Sequence, residues 1–129
     1  MVTKKITIPI YEQEVEISYC RLEEFNEYLK KGFKLKAPFD GTTKAAVLEV
    51  VANGKRRLFL FFNHDQLKGS DTLYQIGLIS HEMVHLTDYI MDFAGIKNDI
   101  DNNEPRAYLS GFLAKRVFSE LQILMHQYE

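Results

Sequence analysis

The sequence predicts an α+β fold. Three observations carry the prediction: apolar and polar residues alternate near the N-terminus, an Asn-Gly pair joins two runs rich in Val, Leu and Phe, and the second half holds two long stretches with apolar residues at helical spacing. With 129 residues, 46% hydrophobic and 26% charged, the chain has the size of one domain spanning 1–129. That balance supports a real core and lies away from the low-hydrophobicity, high-charge region where chains stay disordered.

Ile6, Ile8 and Ile10 alternate with Thr7 and Pro9, and Val15, Ile17 and Tyr19 alternate with Glu14, Glu16 and Ser18, so two half-buried strands are expected. Pro9 marks an edge, because it cannot donate to a ladder. Leu22, Phe25, Tyr28 and Leu29 give a short amphipathic helix from Arg21 to Lys31, with Gly32 as its cap. Asn53-Gly54 is a strong hairpin signal between strands at Ala45–Ala52 and Lys55–Asn63. The run Leu58 to Phe62 has no polar interruption, which predicts a strand covered on both faces. Lys68 to Asp71 forms a turn ending in good N-cap residues, and a helix follows from about Asp71 to Phe93 or Ala94, stopped by Gly95. A polar loop at 97–103 leads to a second long helix from about Glu104 to His126, whose stripe Leu109, Leu113, Val117, Leu121 and Leu124 reads as core.

Several function classes are disfavoured. The net charge is −2 and the basic residues lie in small groups such as Lys4-Lys5 and Lys55-Arg56-Arg57, so the cationic footprint of a nucleic-acid binder is missing. One cysteine, Cys20, forms no internal disulfide and is expected to be a small buried or boundary residue. The N-terminus alternates in polarity where a signal peptide is uniformly apolar, and no run approaches the roughly 18 apolar residues of a membrane span. A soluble, cytoplasmic chain with neither nucleic acid nor membrane as partner is expected.

The chemistry concentrates in His81-Glu82-Met83-Val84-His85. On the helix from Asp71, Ile76, Ile79, Met83, Leu86 and Ile90 share one face that should enter the core. His81, His85, Asp88 and Asp92 lie on the opposite stripe, within about 60° of one another. A polar stripe alone is uninformative, since every amphipathic helix has one. The spacing is informative: histidines four apart point the same way from successive turns and let two imidazoles reach one zinc ion. Glu82 is turned about 100° further round, beside such an ion, where a carboxylate can take a proton from metal-activated water. With four histidines in the chain, this pattern arises by chance less than about once in a hundred sequences. A third ligand is required, and Asp88, Asp92 and Glu104 are the candidates. Asp88 is about 10 Å along the axis from His81, which suits a carboxylate orienting an imidazole N–H better than a shared ligand. Glu104 follows His85 by enough chain to finish one helix and return on the next, and is favoured.

HEMVH taken with Asn102, Asn103, Glu104, Pro105, Arg106, Ala107 and Tyr108 resembles the gluzincin metallopeptidases, in particular their small, often phage-associated members that carry an Asn-Glu-x-x-Ala-Tyr pattern. The resemblance covers residues 76–113, and ahead of residue 70 it is one of element order only. It implies a small zincin-like domain with N-terminal strands and a helix, a β-hairpin, then an active-site helix packed on a glutamate helix. It further implies one zinc per chain held by His81, His85 and Glu104, with Glu82 as general base and acid in hydrolysis of a peptide or protein substrate. Two positions depart from the pattern or constrain it. Tyr108 stands where larger gluzincins carry an aspartate that supports a zinc histidine, so it is a candidate donor to a ligand or to the substrate carbonyl, with packing as the simpler role. Pro105 disfavours helical geometry in the residue before it and so puts Glu104 at the helix start. His64 and His126 are further candidates for stabilising an oxyanion, with a place on the surface as the simpler expectation for both. The hairpin end at Asn63–Asp65 is expected to border the cleft, with an exposed edge strand aligning an extended substrate.

The metzincin pattern fails, because Asp88 and Met91 stand where it needs a glycine and a ligand. An EF-hand loop starting at Asp99 fails at Glu104 and Ser110, where it needs a glycine and a bidentate glutamate. A purely structural zinc would favour cysteine, and Cys20 is remote from the motif. The competing expectation is a non-catalytic or regulatory zinc-binding protein that keeps the metallopeptidase fold.

Overall fold

A computed structural model describes residues 1–97 and 99–128; Asn98, within the expected polar loop, the side chain of Asn102 and Glu129 lie outside the described residues. The elements in chain order are β1 Val2–Ile8, β2 Gln13–Cys20, α1 Leu22–Phe33, β3 Ala45–Ala52, β4 Lys55–Asn63, α2 His64–Leu67, α3 Thr72–Phe93, a 3-10 turn at Ile100–Asn102, and α4 Glu104–Tyr128. The fold is α+β, with the strands in one sheet of order β1-β2-β4-β3. β1 with β2 and β3 with β4 are antiparallel hairpin pairs, while β2 and β4 run parallel in the centre. A parallel pair needs a crossover, and α1 lies within it.

Period-2 alternation on β4 sorts the core into two halves. Leu58, Leu60 and Phe62 point to the face covered by α3 and α4; Phe59 and Phe61 point to the face covered by α1. On the α1 side Phe25 stacks on Phe61 with ring centroids 4.7 Å apart. On the other side Ile79, Met83, Leu86 and Ile90 of α3 join Leu113, Val117, Leu121 and Leu124 of α4 over the sheet. The expectation for Leu58 to Phe62 is met, since all five are buried.

Local signals act where expected. Asn53 and Gly54 both have positive φ, 54° and 74°, as a two-residue hairpin turn of the favoured twist demands. Asp71 caps α3 by accepting from the Tyr74 backbone N–H at 2.8 Å, and Gly95, at φ 76°, ends it.

Four expectations require correction. Ile10 does not extend the first strand: β1 stops at Ile8, and Ile10 sits in the turn at φ 72°, 91% exposed. The turn residues Pro9 to Glu12 reverse the chain, so the alternation carries on past the end of pairing. β2 is buried on both faces, not one; Glu16 is only 4% exposed and Ser18 fully buried, because α1 covers the face that their polarity suggested was wet. Arg57 lies 3.7 Å from the Glu16 carboxylate and partly compensates it. Gly32 is inside α1, and the left-handed cap position is taken by Lys34 at φ 57°. Ile76 is 46% exposed, since α4 and the sheet cover α3 closer to Gln75 and Ile79.

Two sets of contacts hold α3 in register. Near its start the buried Gln75 accepts from Gln122 of α4 at 2.8 Å and donates to Ser70. Near its end Arg56 of β4 donates to the Gln13 side chain and the Tyr89 carbonyl, each at 2.6 Å, pairs with Glu49, and lies 4.5 Å from the centre of the Phe93 ring. Among the described residues no helix is long and apolar enough to cross a membrane.

Arg56→Ala is expected to destabilise the fold by about 2 kcal/mol, since it strips a charged donor from partners that stay partly buried. Urea unfolding measures this, and amide exchange in the last turns of α3 should quicken in the same variant. Unchanged stability would show that the clamp adds nothing.

Candidate metal centre

With Ile79, Met83, Leu86 and Ile90 committed to the core, rotation of 100° per residue turns His81 and His85 outward. Both rings are exposed, and they meet edge to face with centroids 5.1 Å apart and planes at 72°. Two imidazoles thus stand side by side on successive turns, the arrangement in which their nitrogens can serve one cation.

Glu82 lies in a different environment although it is the adjacent residue. It is 5% exposed, and among the described residues its Oε2 has no hydrogen-bond partner. Burial raises the carboxyl pKa above the ordinary glutamate value, and the positive charge of His81 and then of His85 opposes the rise without cancelling it. A buried carboxylate oxygen without a partner is costly to the fold, and such groups cluster where chemistry is done.

His81 and Glu82 open onto a cleft of about 600 Å³, within the range of ligand pockets. Tyr74, Gly77 and Leu78 complete the α3 wall, and Thr42 to Ala45, which lead into β3, form the other. Buried Asn63 holds that second wall from behind: its side-chain amide donates to the carbonyls of Gly41 at 3.1 Å and Thr43 at 2.9 Å. The hairpin end at Asn63 therefore supports the cleft and does not line it. β3 is the outermost strand on this side, so its outer backbone edge runs from the cleft.

His85 faces a second hollow, between the end of α3 and the start of α4, shared with Asp88, Asp92, Lys97 and Arg106. Asp88 makes an ion pair with Arg106.

The other sequence-derived candidates fall in separate places. Glu104 is the first residue of α4, as Pro105 demands, and its side chain is exposed. It is not brought together with the histidines: among the described residues no three His, Cys, Asp or Glu side chains stand close enough to hold a metal ion. Tyr108 is 76% exposed and borders an apolar groove with Pro9, Ile10, Pro105 and Phe112. His64, the first residue of α2, has its Nδ1 2.9 Å from the Tyr19 hydroxyl and its ring against Tyr128, so it is engaged away from the cleft. His126 is exposed, and Cys20 is buried with its thiol pKa pushed up to about 12, chiefly by burial, which leaves it unreactive.

Tyr74, the Thr42–Ala45 wall and Arg106 were not assigned roles from the sequence. For Tyr74 a signal existed, because it precedes His81 by seven residues and so shares its face of the helix. For the 42–45 segment none did, since only the tertiary fold brings it to α3.

Comparison of the chain with known protein-family models, with curated proteins and with solved structures gives no match. The site's own chemistry therefore carries the functional reading.

The raised Glu82 pKa has a signed consequence for the metal-free protein. The folded state holds this proton more tightly than the unfolded state, so stability is full below the unfolded value of about 4.3 and declines as pH rises towards the folded pKa. Glu82→Gln stays neutral and should escape that decline, becoming the more stable protein at neutral pH and losing its advantage near pH 4. Chelator-treated samples unfolded in urea across this range test it; a pH-independent difference would contradict the assignment.

Proposed function

We propose that this chain is a zinc-dependent metallopeptidase of the gluzincin type, with one zinc held by His81, His85 and Glu104 and a peptide or protein as substrate. The observation that carries the reading is Glu82, a buried carboxylate whose Oε2 has no partner among the described residues, which lines a cleft together with the exposed His81, whose ring stands against that of His85. The donor types suit zinc, since imidazole nitrogen and carboxylate oxygen are ordinary ligands; the structure itself groups only the two imidazoles, and Glu104 does not stand with them. When bound, zinc supplies a Lewis acid that acidifies water and polarises a carbonyl oxygen.

The chain's own residues supply the remainder. Glu82 accepts the proton of the attacking water at its unpartnered Oε2 and returns it to the leaving amine, and its raised pKa suits both transfers. The outer edge of β3, entered from Thr42–Ala45, can pair with the backbone of an extended substrate and lay the scissile bond across His81 and Glu82. Tyr74 and Lys44 also line the cleft and are within the set of groups that can meet substrate there.

A second reading, a metal-binding protein of this fold that turns nothing over, draws support from Glu104, whose carboxylate faces solvent and does not stand with the histidine pair.

Metal analysis and a peptide-cleavage assay separate the two. The peptidase reading expects one zinc per purified chain, and expects Glu82→Gln to keep that zinc while losing about 10²- to 10⁴-fold in turnover. Zinc binding with no cleavage by the parent would favour the second reading. A Glu82→Gln protein as active as the parent would overturn the proposed role of this residue.

A further inference from the structure

The face of α4 that turns away from the core is as regularly patterned as the face that enters it. Leu109, Leu113 and Val117 are buried, while Glu104, Tyr108, Gly111 and Lys115 are all exposed. At 100° per residue these four lie within about 60° of one another, so they form one stripe along the helix. Tyr108 is 76% exposed, and Phe112 at the margin of the stripe is uncovered as well. Among the described residues neither Glu104 nor Lys115 has an ion-pair partner.

Packing within the chain does not explain Gly111. Glycine inside a helix is a poorer choice than alanine, yet a Cβ added here would meet nothing within 4 Å. The missing side chain leaves a bare site on the outer surface, about one turn from Tyr108. A second oddity adjoins the stripe. Tyr108 and Phe112 form one wall of the apolar groove, and the β1–β2 turn forms the other. In that turn Ile10, a β-branched residue, is held at φ 72°, in the left-handed region that favours glycine, with its side chain 91% exposed. An apolar side chain displayed on a strained backbone is unfavourable on both counts unless another surface covers it.

We propose that this stripe is a two-fold interface between two copies of the chain, with their α4 helices antiparallel. The order of the residues selects that occupant. An axis passing between positions 109 and 110 brings Glu104 opposite Lys115 of the second copy and Tyr108 opposite its Gly111, and each pair occurs twice. Acid meets base and a bulky ring meets bare backbone. A partner of unrelated sequence would not require this symmetry, and parallel helices would not produce it. Phe112 and Ile10 flank the stripe on one side and are covered by the same approach. The inference goes beyond the zinc reading and does not depend on it. Glu104 is common to both, and its carboxylate has two oxygens, so a lysine on one leaves the other.

The test is sedimentation equilibrium of the full, chelator-treated chain up to about 1 mM, beside the melting temperature of each variant in dilute solution. The parent should be a dimer in reversible exchange with monomer. Gly111→Gln should weaken that dimer by at least about 10-fold and leave the monomer no less stable, since glutamine is the better helix former. Ile10→Gly should also weaken it without loss of stability, because glycine suits that backbone angle. Glu104→Lys and Lys115→Glu should each weaken association about 10-fold, and the two together should restore it, because the exchanged charges pair again across the axis. A parent that stays monomeric throughout, including one that instead sediments with phosphatidylserine-containing vesicles, would overturn the inference. So would a dimer indifferent to Gly111→Gln, or one that the paired charge exchange fails to restore. None of these outcomes touches the zinc reading, which metal content and cleavage decide.

Discussion

Ile79, Met83, Leu86 and Ile90 are driven onto Leu58, Leu60 and Phe62 by the removal of apolar surface from water, and the rest of the site follows from that contact. A helix is rigid about its axis, so seating one face fixes the direction of every other side chain on it. His81 and His85 have to point outward once those four residues point inward. Glu82, a quarter-turn round from His81, falls at the margin, where it faces the 42–45 segment across the cleft. Sliding α3 by one residue would bury both imidazoles in one direction or expose the carboxylate in the other, and the end contacts oppose either shift. Gln75 is held by Gln122 and Ser70 at one end, and Arg56 is locked to the Tyr89 carbonyl at the other.

The adjacent residues of the motif therefore live in opposite media. The imidazoles remain wet and able to reach a cation, while the carboxylate is partly removed from water and its ionised form disfavoured. A surface glutamate would be a weak base held too far below neutrality; burial shifts it towards the range where it can both take and return a proton. The same burial has a cost in stability, and the three-layer packing around β4 is the reserve that can carry it. The buried Glu16 on the opposite face has Arg57 beside it, whereas among the described residues no arginine or lysine pairs with Glu82 and only the neighbouring histidines offset its charge.

Much of the fold was legible because local rules and the global fold agree. The Asn53-Gly54 turn, the Asp71 cap, the Gly95 stop and the Pro105 start are short-range signals, and each acts at its own position. Two of the failures, Ile10 beyond the end of β1 and Gly32 inside α1, concern where an element stops; the other two concern what covers a surface. Polar alternation at Glu16 and Ser18 reads as a solvent face, yet α1 lies over it, and Ile76 sits on the apolar stripe yet remains uncovered. Periodicity reports which residues share a face, and it is silent on the neighbour that face will meet. The candidate site divides in the same way. His81, Glu82 and His85 were readable as a unit, lying within five consecutive positions on one helix. The role of Asn63 behind the cleft wall and the engagement of His64 with Tyr19 were not, since each depends on partners at least twenty residues away.

The sequence by itself determined the α+β class, the bounds of the long helices and the histidine-glutamate-histidine geometry, because hydrophobic periodicity, caps and helical pitch act over a few residues. Only the tertiary structure decided that Glu82 is buried with an oxygen to spare, that Thr42 to Ala45 face it across a cleft, and that Arg106 ties α4 to Asp88. Those outcomes follow from how the helices settle on a twisted sheet, where the total apolar area removed from water selects the arrangement and no local pattern encodes it.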